Sequence, residues 1–263
     1  MISGTDISIY QTNSQNPTRF FDPLIARKKG MKFTFIRASN GVAKDNAVDT
    51  FARTFADANF PHGFYHFLRH EVSYSTQADN FVNIVKDFDF DLPVVADVED
   101  IGLGLEFIKS WCGRVSSKLS KDVIIYSSPS FWNGLQNVKQ ATWALEYKYW
   151  VAHYLNVSYP QYVIPETIPF GYPQALEPWA SNGKKWTFWQ WCAKGDGEFF
   201  GGNYSHNENV ALDMDVYNGS EAEFLAEFDI GDVTPDPDPE PDTSLNARLT
   251  KLEEWARGIG YDG

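Results

Sequence analysis

Two acidic residues, Asp97 and Glu99, stand two positions apart at the end of the apolar run LPVVADVED. On a β-strand, residues i and i+2 point to the same side, so both carboxyl groups should face one site. Two carboxylates so close cannot both ionise cheaply, and the pKa of one should rise. A protonated carboxylic acid beside an ionised carboxylate is the pair that glycosidic cleavage requires. The same pair also fits a solvated loop, a salt-bridged rim, or a divalent-metal site completed by Asp6 and Asp213.

The elements that must position these acids alternate between short apolar strands and helical patterns. Strand patterns occur in GTDISIY, KFTFIRAS, HGFYHF, DLPVVADVE and DVIIYSS, each followed by a helical pattern, the second with Asp45 as a candidate cap. After the fifth unit, YWVAHY, KWTFWQW and LDMDVY are strand-like and have no long helices between them. Five βα units and three more strands make eight, the number that closes a barrel. We therefore predict an α/β fold, a modified TIM-like barrel over residues 1–232. A doubly wound sheet is the alternative, but no glycine-rich nucleotide turn follows the first strand.

Reacting groups in such a barrel sit at the carboxyl ends of its strands. Polar residues recur at these ends: Asp6, Ser8, Gln11, Arg37, Ser39, Asn40, Tyr65, His66, Arg69, Asp97, Glu99, Asp100, Tyr126, Ser127, Ser128, His153, Tyr154, Gln190, Asp213 and Asp215. The acids recur on the first, fourth and eighth strands, which would be neighbours or near neighbours around one mouth.

Other chemistries find little support in the residue types. No GxSxG elbow is present, and His62, His66 and His153 are too dispersed for a triad, so we predict structural histidines. Cys112 and Cys192 are the only cysteines and belong to no metal-binding cluster, so buried free thiols are expected, with a disulfide left open. We expect neither a metal nor another cofactor.

The overall composition restricts the partners. A formal net charge of −13 argues against nucleic acid and anionic membranes, which would repel the chain. No run of 18 apolar residues is present, so no membrane insertion is expected. The start, MISGTDISIYQ, lacks the basic and apolar regions of a signal peptide. Aromatic residues make up 16% of the chain, which suits either a sugar-binding site or a well-filled core.

A change of composition separates the C-terminal segment. TPDPDPEPDT alternates proline with acid, and we predict an extended linker over residues 233–243. Residues 244–263 follow as a short amphipathic helix in which Leu245, Leu249, Leu252, Ala256 and Ile259 form a coiled-coil seam. Two heptads are too short to stand alone, so this helix is expected to pack on a second copy of itself, the barrel or a further module. A frayed chain end is the alternative.

The strand segments, taken in order, resemble one family. They are GTDISIYQ, FIRASNG, GFYHF, LPVVADVE, IIYSSPSFW, YWVAHY, WTFWQW and LDMDVYNG, spread over residues 1–220. This set is similar to family 25 of the glycoside hydrolases, the Chalaropsis-type lysozymes, which also include phage endolysins. The resemblance implies a flattened barrel of five βα units and three β-strands. It also implies hydrolysis of the β-1,4 bond between N-acetylmuramic acid and N-acetylglucosamine in bacterial peptidoglycan.

By position, the resemblance places the family's acids on Asp6, Asp97, Glu99 and Asp213. Glu99 would be the general acid and later the base on water. Asp97 would orient the substrate acetamido group, whose oxygen attacks the anomeric carbon with retention. Asp6 and Asp213 would raise the pKa of the acid. Direct carboxylate attack and inversion also use paired acids and stay open at this point.

The resemblance implies further residues around the substrate. Tyr65 and Tyr126 would assist at the acetamido group or the adjoining sugar. Weaker candidates for lining the groove, each equally compatible with the core, are Trp150, Trp189, Gln190 and Phe64. A barrel that binds cell-wall glycan without turnover is the main alternative function. A metal-dependent hydrolase such as a deacetylase would need histidine ligands near the acids, and no convincing pair is present.

The chain would act at the bacterial cell wall, either as a phage or prophage endolysin made in the host cytoplasm or as a secreted enzyme whose leader has been removed. Its expected partner is bacterial peptidoglycan, with self-association through the C-terminal helix as a further expectation.

Overall fold

A computed structural model describes residues 1–12, 21–157, 172–201 and 211–231 of the chain. The strands in these ranges are β1 (Ile2–Ile7), β2 (Met31–Asn40), β3 (Ala43–Lys44), β4 (His62–Phe67), β5 (Val94–Asp97), β6 (Val123–Ser127), β7 (Lys148–Ala152), β8 (Phe188–Asp196) and β9 (Ala211–Tyr217). They form one sheet in the order β1-β9-β8-β7-β6-β5-β4-β2-β3, and β1 also pairs with β2. That last pairing closes every strand except the two-residue β3 into a barrel.

The helices follow the strands at the predicted places. They are α1 (Pro23–Lys28), α2 (Val48–Asp57), α3 (Tyr74–Val85), α4 (Leu105–Leu119), α5 (Pro129–Trp132), α6 (Gly197–Gly201) and α7 (Glu221–Glu227), with short 3₁₀ turns at Ile9–Gln11, Val138–Gln140, Thr142–Glu146 and Ala180–Asn182. The helices α1 to α5 each follow one strand of the parallel part of the barrel. The predicted arrangement of five βα units and three terminal strands is therefore confirmed.

Among the eight barrel strands, direction changes only at the last one. Neighbouring strands from β1 through β2 and β4 to β8 run parallel, whereas β9 is antiparallel to both β8 and β1. Asp6 of β1 therefore lies opposite Asp213 of β9. The start of β9 thus reaches the same mouth as the ends of the parallel strands.

Alternation along the strands separates two apolar layers. The barrel interior holds Phe33 and Phe35 of β2 with Trp150 and Phe188, while a larger layer packs between the sheet and the helices. Phe224 of α7 joins the interior layer, with its ring centroid 5.5 Å from that of Phe33. Large rings thus fill the interior of the barrel at this level.

Side chains cap several helices, although one predicted cap is wrong. Ser73 begins α3, and Ser220 begins α7 with a capping box, each accepting from a backbone N–H. Asp45 is not the N-cap of α2; the N-cap is Ala47, which has no side-chain cap. Asp45 Oδ1 accepts from the backbone N–H of Ala47 at 2.9 Å, one residue before the helix, while Oδ2 accepts from Arg37 Nε at 2.8 Å, a charged donor.

The cysteines, the membrane expectation and the C-terminal segment can each be compared with the structure. Cys112 and Cys192 are buried free thiols, as predicted. In the described part of the chain, no helix is long and apolar enough to cross a membrane. The chain divides by its contacts into Met1–Asp232 and Val233–Gly263. The predicted linker and C-terminal helix lie outside the described residues and stay predictions.

Candidate active site

A cleft opens at the mouth where the carboxyl ends of the parallel strands meet. It encloses about 550 Å³, including the solvent at its opening. Its lining residues come from all eight barrel strands or the turns that follow them: Asp6, Arg37, Tyr65, Phe67, Val95, Asp97, Glu99, Tyr126, Trp150, Tyr154, Gln190 and Asp213. Since strand residues alternate between the two faces, each strand turns one or two side chains toward this space.

The four acids predicted for the site lie together in this cleft. Asp6 and Asp97 are buried, with 8% and 6% of their surfaces exposed, whereas Glu99 and Asp213 are partly buried. Asp97 closes β5, and Glu99 follows two positions later on the same side. One Asp97 oxygen, Oδ1, has no hydrogen-bond partner among the described residues. A buried carboxylate oxygen without a donor is available to a ligand N–H or O–H.

Gln190 of β8 connects the acids to two tyrosines. Its amide Nε2 donates to Asp6 Oδ2 at 2.6 Å. Its carbonyl Oε1 accepts from the hydroxyl groups of Tyr126 at 2.8 Å and Tyr154 at 2.7 Å. An amide is the side chain that can donate to a carboxylate while accepting from hydroxyls. Gln190 therefore holds three cleft residues in one network.

The cleft raises the pKa of each of its acids. Burial raises the pKa of Glu99. Burial also raises the pKa of Asp6 to about 7, although the Gln190 hydrogen bond opposes the shift. For Asp97 and Asp213, burial and then the charges of Glu99 and Asp6 raise the pKa well above its ordinary value. A carboxyl group that is still protonated near neutral pH can act as a general acid.

Arg37 is the only cation among the described residues that line the cleft. Its guanidinium is held by Asp45, and its charged carbon lies 5.1 Å from the ring centroid of Tyr10. Since Asp45 already pairs with Arg37, little positive charge is left to compensate the four acids. The cleft is therefore strongly acidic for its size.

Two residues predicted for the groove, Phe64 and Trp189, do not reach it. Phe64 of β4 is fully buried between the sheet and the helices, with its ring 5.0 Å from that of Phe90. Trp189 of β8 is in the same layer and donates to the His153 carbonyl. Each lies beside a cleft residue in sequence, Tyr65 or Gln190, and adjacent strand residues face opposite sides. Both predictions are corrected on that ground.

The remaining predicted substrate-binding residues do line the cleft. Tyr65 and Tyr126 are buried enough that desolvation raises the pKa of both hydroxyls well above its ordinary value. Trp150 is almost fully buried, 4.7 Å from the Tyr126 ring, and its Nε1 donates to Asp215 Oδ1 at 3.1 Å. Its position favours support of the cleft floor over broad contact with a ligand.

Sequence reasoning missed four lining residues, Arg37, Phe67, Val95 and Tyr154. The signal that could have found them is the alternation itself, since Val95 and Phe67 stand two positions from Asp97 and Tyr65 respectively. Arg37 and Tyr154 were among the polar strand-end residues, but residue type alone did not single them out. Tyr154 is 53% exposed, so its ring faces the mouth while its hydroxyl binds Gln190.

Behind Glu99, Asp100 ties two of the loops around the mouth together. It accepts from the backbone and Nδ1 of His70 at 2.8 and 2.7 Å, and from Arg69 Nη1 at 3.3 Å. Arg69 also donates to Asn40 Oδ1 at 2.8 Å. This network holds the turns after β2, β4 and β5 together, next to the residue predicted to be the acid.

Among the described residues, the only group spaced to hold a metal ion is His70, Glu71 and Asp100. It lies outside the cleft lining, and Arg69 already binds Asp100, which opposes a cation there. No histidine lines the cleft. The polar groups in the cleft lining are carboxyl groups, tyrosine hydroxyls, one amide and the Arg37 guanidinium.

A closed α/β barrel whose mouth gathers four carboxyl groups with aromatic side chains defines the class of barrel glycoside hydrolases. Residues 5–198 match the sequence profile described as Glycosyl hydrolases family 25. The chain therefore belongs to family 25 of the glycosyl hydrolases.

Relatives and solved structures agree with this assignment. Lysozyme M1 of Streptomyces globisporus is 30% identical over 216 residues, covering 76% of this chain and 64% of that protein. The chain thus spans slightly less than two thirds of that relative's length. A bacterial lysozyme from Streptomyces coelicolor superposes with a TM-score of 0.62 at 27% identity, over 86% of this chain and 96% of that one. A family GH25 lysozyme from Aspergillus fumigatus shares the fold, with a TM-score of 0.62 at 22% identity over 86% and 98%.

Proposed function

We propose that this chain is a lysozyme, a 1,4-β-N-acetylmuramidase that cleaves the bond between N-acetylmuramic acid and N-acetylglucosamine in bacterial peptidoglycan. The observation that carries the proposal is the cleft in which Asp6, Asp97, Glu99 and Asp213 meet at the mouth of a family 25 barrel. The lysozyme names of the relatives from two Streptomyces species support the same substrate.

Glu99 is the general acid in this proposal. It is partly buried, and desolvation raises its pKa, so it enters the reaction protonated yet open to the substrate. It gives its proton to the leaving glycosidic oxygen and then takes one from the attacking water. The two roles use the same carboxyl group at the same position.

Asp97 orients the acetamido group of the muramic acid residue. The unpartnered Asp97 Oδ1 is available to accept from the acetamido N–H, which turns the acetamido oxygen toward the anomeric carbon. Attack by that oxygen followed by water gives net retention of configuration. Tyr65 and Tyr126 contact this group or the adjoining sugar, while Gln190 fixes Asp6 and the Tyr126 hydroxyl.

Glu99→Gln tests the proposed acid directly. We expect kcat on purified peptidoglycan to fall by about 10²–10⁴-fold, because the amide cannot donate the proton. The circular dichroism spectrum and urea midpoint should match those of the wild type. Glu106→Gln is the matched control, since Glu106 is exposed on α4 outside the cleft and its loss should leave kcat unchanged. Full activity of Glu99→Gln would remove Glu99 from this role.

Analysis of the products separates the alternatives. Mass spectrometry should find a reducing muramic acid end, whereas a reducing glucosamine end would identify a glucosaminidase. Glycan binding with no product would favour a non-catalytic cell-wall-binding barrel. NMR of the first product should find the β-anomer, and an inverted anomer would contradict acetamido participation.

We also propose that the protein acts at the bacterial cell wall, as an endolysin or a secreted enzyme. Self-association through residues 244–263 belongs to the same proposal and rests on the leucine-rich seam in the sequence. Analytical ultracentrifugation of the whole chain and of residues 1–232 should give a larger assembly only for the whole chain. Equal, monomeric masses would contradict this part.

A further inference from the structure

One acid near the cleft, Asp215, has no place in the proposed mechanism. It lies on β9 two residues after Asp213 and is fully buried, with 0% of its surface exposed. Trp150 Nε1 donates to its Oδ1 at 3.1 Å, while Oδ2 receives no donor from the described residues. A buried carboxylate with a single neutral donor and no cation in contact is costly.

Asp215 is also a diagonal neighbour of a second acid, Asp6. Asp6 lies opposite Asp213 across the β1–β9 pair, and Asp215 stands two positions further along β9 on the same face. A hydrogen bond between two carboxyl groups requires one proton, because two carboxylates offer only acceptors. The unpartnered Oδ2 of Asp215 can therefore bond to Asp6 only if one of the two acids is protonated.

The surroundings decide which of the two holds the proton. Asp6 already accepts from Gln190 Nε2 at 2.6 Å and lies in the same cleft as Arg37, both of which favour its anion. Asp215 is more deeply buried and has only the indole N–H as donor, so its neutral form is favoured.

We propose that Asp215 is a positioning residue that stays protonated at neutral pH and donates a hydrogen bond to Asp6, which fixes Asp6 as an anion in the cleft. The proton stays on Asp215 throughout the reaction and is not passed to the substrate. The consequence for activity rests on the proposed lysozyme function, because it acts through the charge that Asp6 presents to Glu99.

The expected consequence is set by the groups that face Asp6. These are Glu99 and Asp97 from β5 and its turn, Asp213 from β9, Arg37 from β2, and the hydroxyls of Tyr65, Tyr126 and Tyr154. Without its donor, Asp6 would take up a proton more readily. Glu99 would then lose a neighbouring negative charge and release its own proton at lower pH.

A pair of substitutions tests this sequence of effects. Asp215→Leu removes the donor. In the pH profile of kcat/KM on purified peptidoglycan, the alkaline limb should then move to lower pH by about one pH unit. Asp215→Asn keeps both bonds, since its amide donates to Asp6 and its carbonyl accepts from Trp150, and should restore the wild-type limb. If the role of Asp215 is purely structural, Asp215→Leu will lower stability but leave both limbs of the pH profile unchanged. That result would overturn the proposal. An equal shift in Asp215→Asn would mean that Asp215 acts as an anion and would also overturn it.

A second measurement does not depend on activity. The infrared spectrum of the wild type at pH 8 should contain a component band of a protonated carboxyl group that Asp215→Asn removes, whereas any absorption from protonated Asp97 and Asp213 stays in both proteins. The control Asp122→Asn changes a largely exposed acid outside the cleft and should leave the band intact. Loss of the band with an inactive wild type would support the protonated Asp215 and contradict only the lysozyme proposal. An unchanged band in Asp215→Asn would contradict the protonated Asp215 itself.

Discussion

At the residue scale, the cleft depends on one neutral side chain placed among acids. Gln190 is nearly fully buried and makes three hydrogen bonds, one as donor to Asp6 and two as acceptor from Tyr126 and Tyr154. A glutamate of the same shape could accept from the tyrosines but could donate to Asp6 only when protonated. The amide is therefore what allows Asp6 to be both buried and ionised.

Gln190→Glu tests this point with a nearly isosteric change. The new carboxyl would face Asp6 at the present 2.6 Å contact, so we expect a loss of about 1–3 kcal/mol in the free energy of unfolding at pH 8. Repulsion and burial raise the pKa of the added acid in the folded state. Its penalty should therefore be small below the pKa of the unfolded chain and grow as the pH rises.

Urea denaturation at pH 5 and pH 8 measures the effect. Gln136→Glu makes the same change at an exposed position and should alter the unfolding free energy little at either pH. A penalty that is equal at pH 5 and pH 8 would point to a packing defect and contradict the charge argument.

At the element scale, strand direction and alternation decide which side chains meet. Asp6 ends a parallel strand, whereas Asp213 stands near the beginning of the antiparallel β9, and the two lie opposite each other. The same alternation turns Gly4 of β1 toward the interior rings. A Cβ added at Gly4 would lie 2.5 Å from the Phe33 ring, which is closer than any normal contact.

Two glycine substitutions should therefore change stability in opposite directions. Gly4→Ala overfills the barrel and should lower the free energy of unfolding by about 1–3 kcal/mol. Gly113→Ala, in the middle of α4 where a Cβ meets nothing within 4 Å, should raise it by about 0.5–1 kcal/mol. Urea denaturation of the two variants and the wild type gives both values. Tolerance of alanine at position 4 would mean that Phe33 can move aside.

At the scale of the whole molecule, an acidic chain places its most buried acids at one end of the barrel. The net charge is −13, and the pKa values of Asp6, Asp97, Asp213 and Asp215 are all raised, first of all by burial. Asp97, Asp213 and Asp215 therefore bind protons more tightly in the folded state than in the unfolded chain. Stability from this source is complete below the unfolded pKa values and is lost as the pH rises through the folded ones.

The unfolding free energy should therefore fall between pH 7 and pH 8. Each extra proton held by the folded state contributes a slope of about 1.4 kcal/mol per pH unit. His62 and His66 offset this slope only in part, because burial lowers their pKa values in the folded state and the unfolded value of 6.5 leaves them mostly neutral above pH 7. Asp97→Asn removes one such acid and should flatten the slope in urea denaturation. Parallel slopes for the two proteins would contradict the argument.

Much of this protein can be predicted from local patterns alone. Strand and helix periods are short-range properties, so the order of five βα units and three strands, and hence the barrel, follows from them. The DxE spacing also predicts that Asp97 and Glu99 share a side, because that depends only on the pleat of one strand. Family resemblance then extended the acid set to Asp6 and Asp213.

Other features required the tertiary structure, because they depend on contacts between residues far apart in the chain. Phe64 and Tyr65 are adjacent in sequence, and by residue type either could face the cleft. Only the closed sheet determines that Tyr65 does so. The pairing of Asp45 with Arg37 follows from strand β2 meeting the turn before α2 and could not be predicted from the sequence. The charge states of the acids could likewise not be predicted, since their burial and the proximity of Asp6 to Asp213 and Asp215 arise only once β1 and β9 are paired. Residue types reveal which groups can do chemistry, but their charge states are set by the neighbours that folding brings to them.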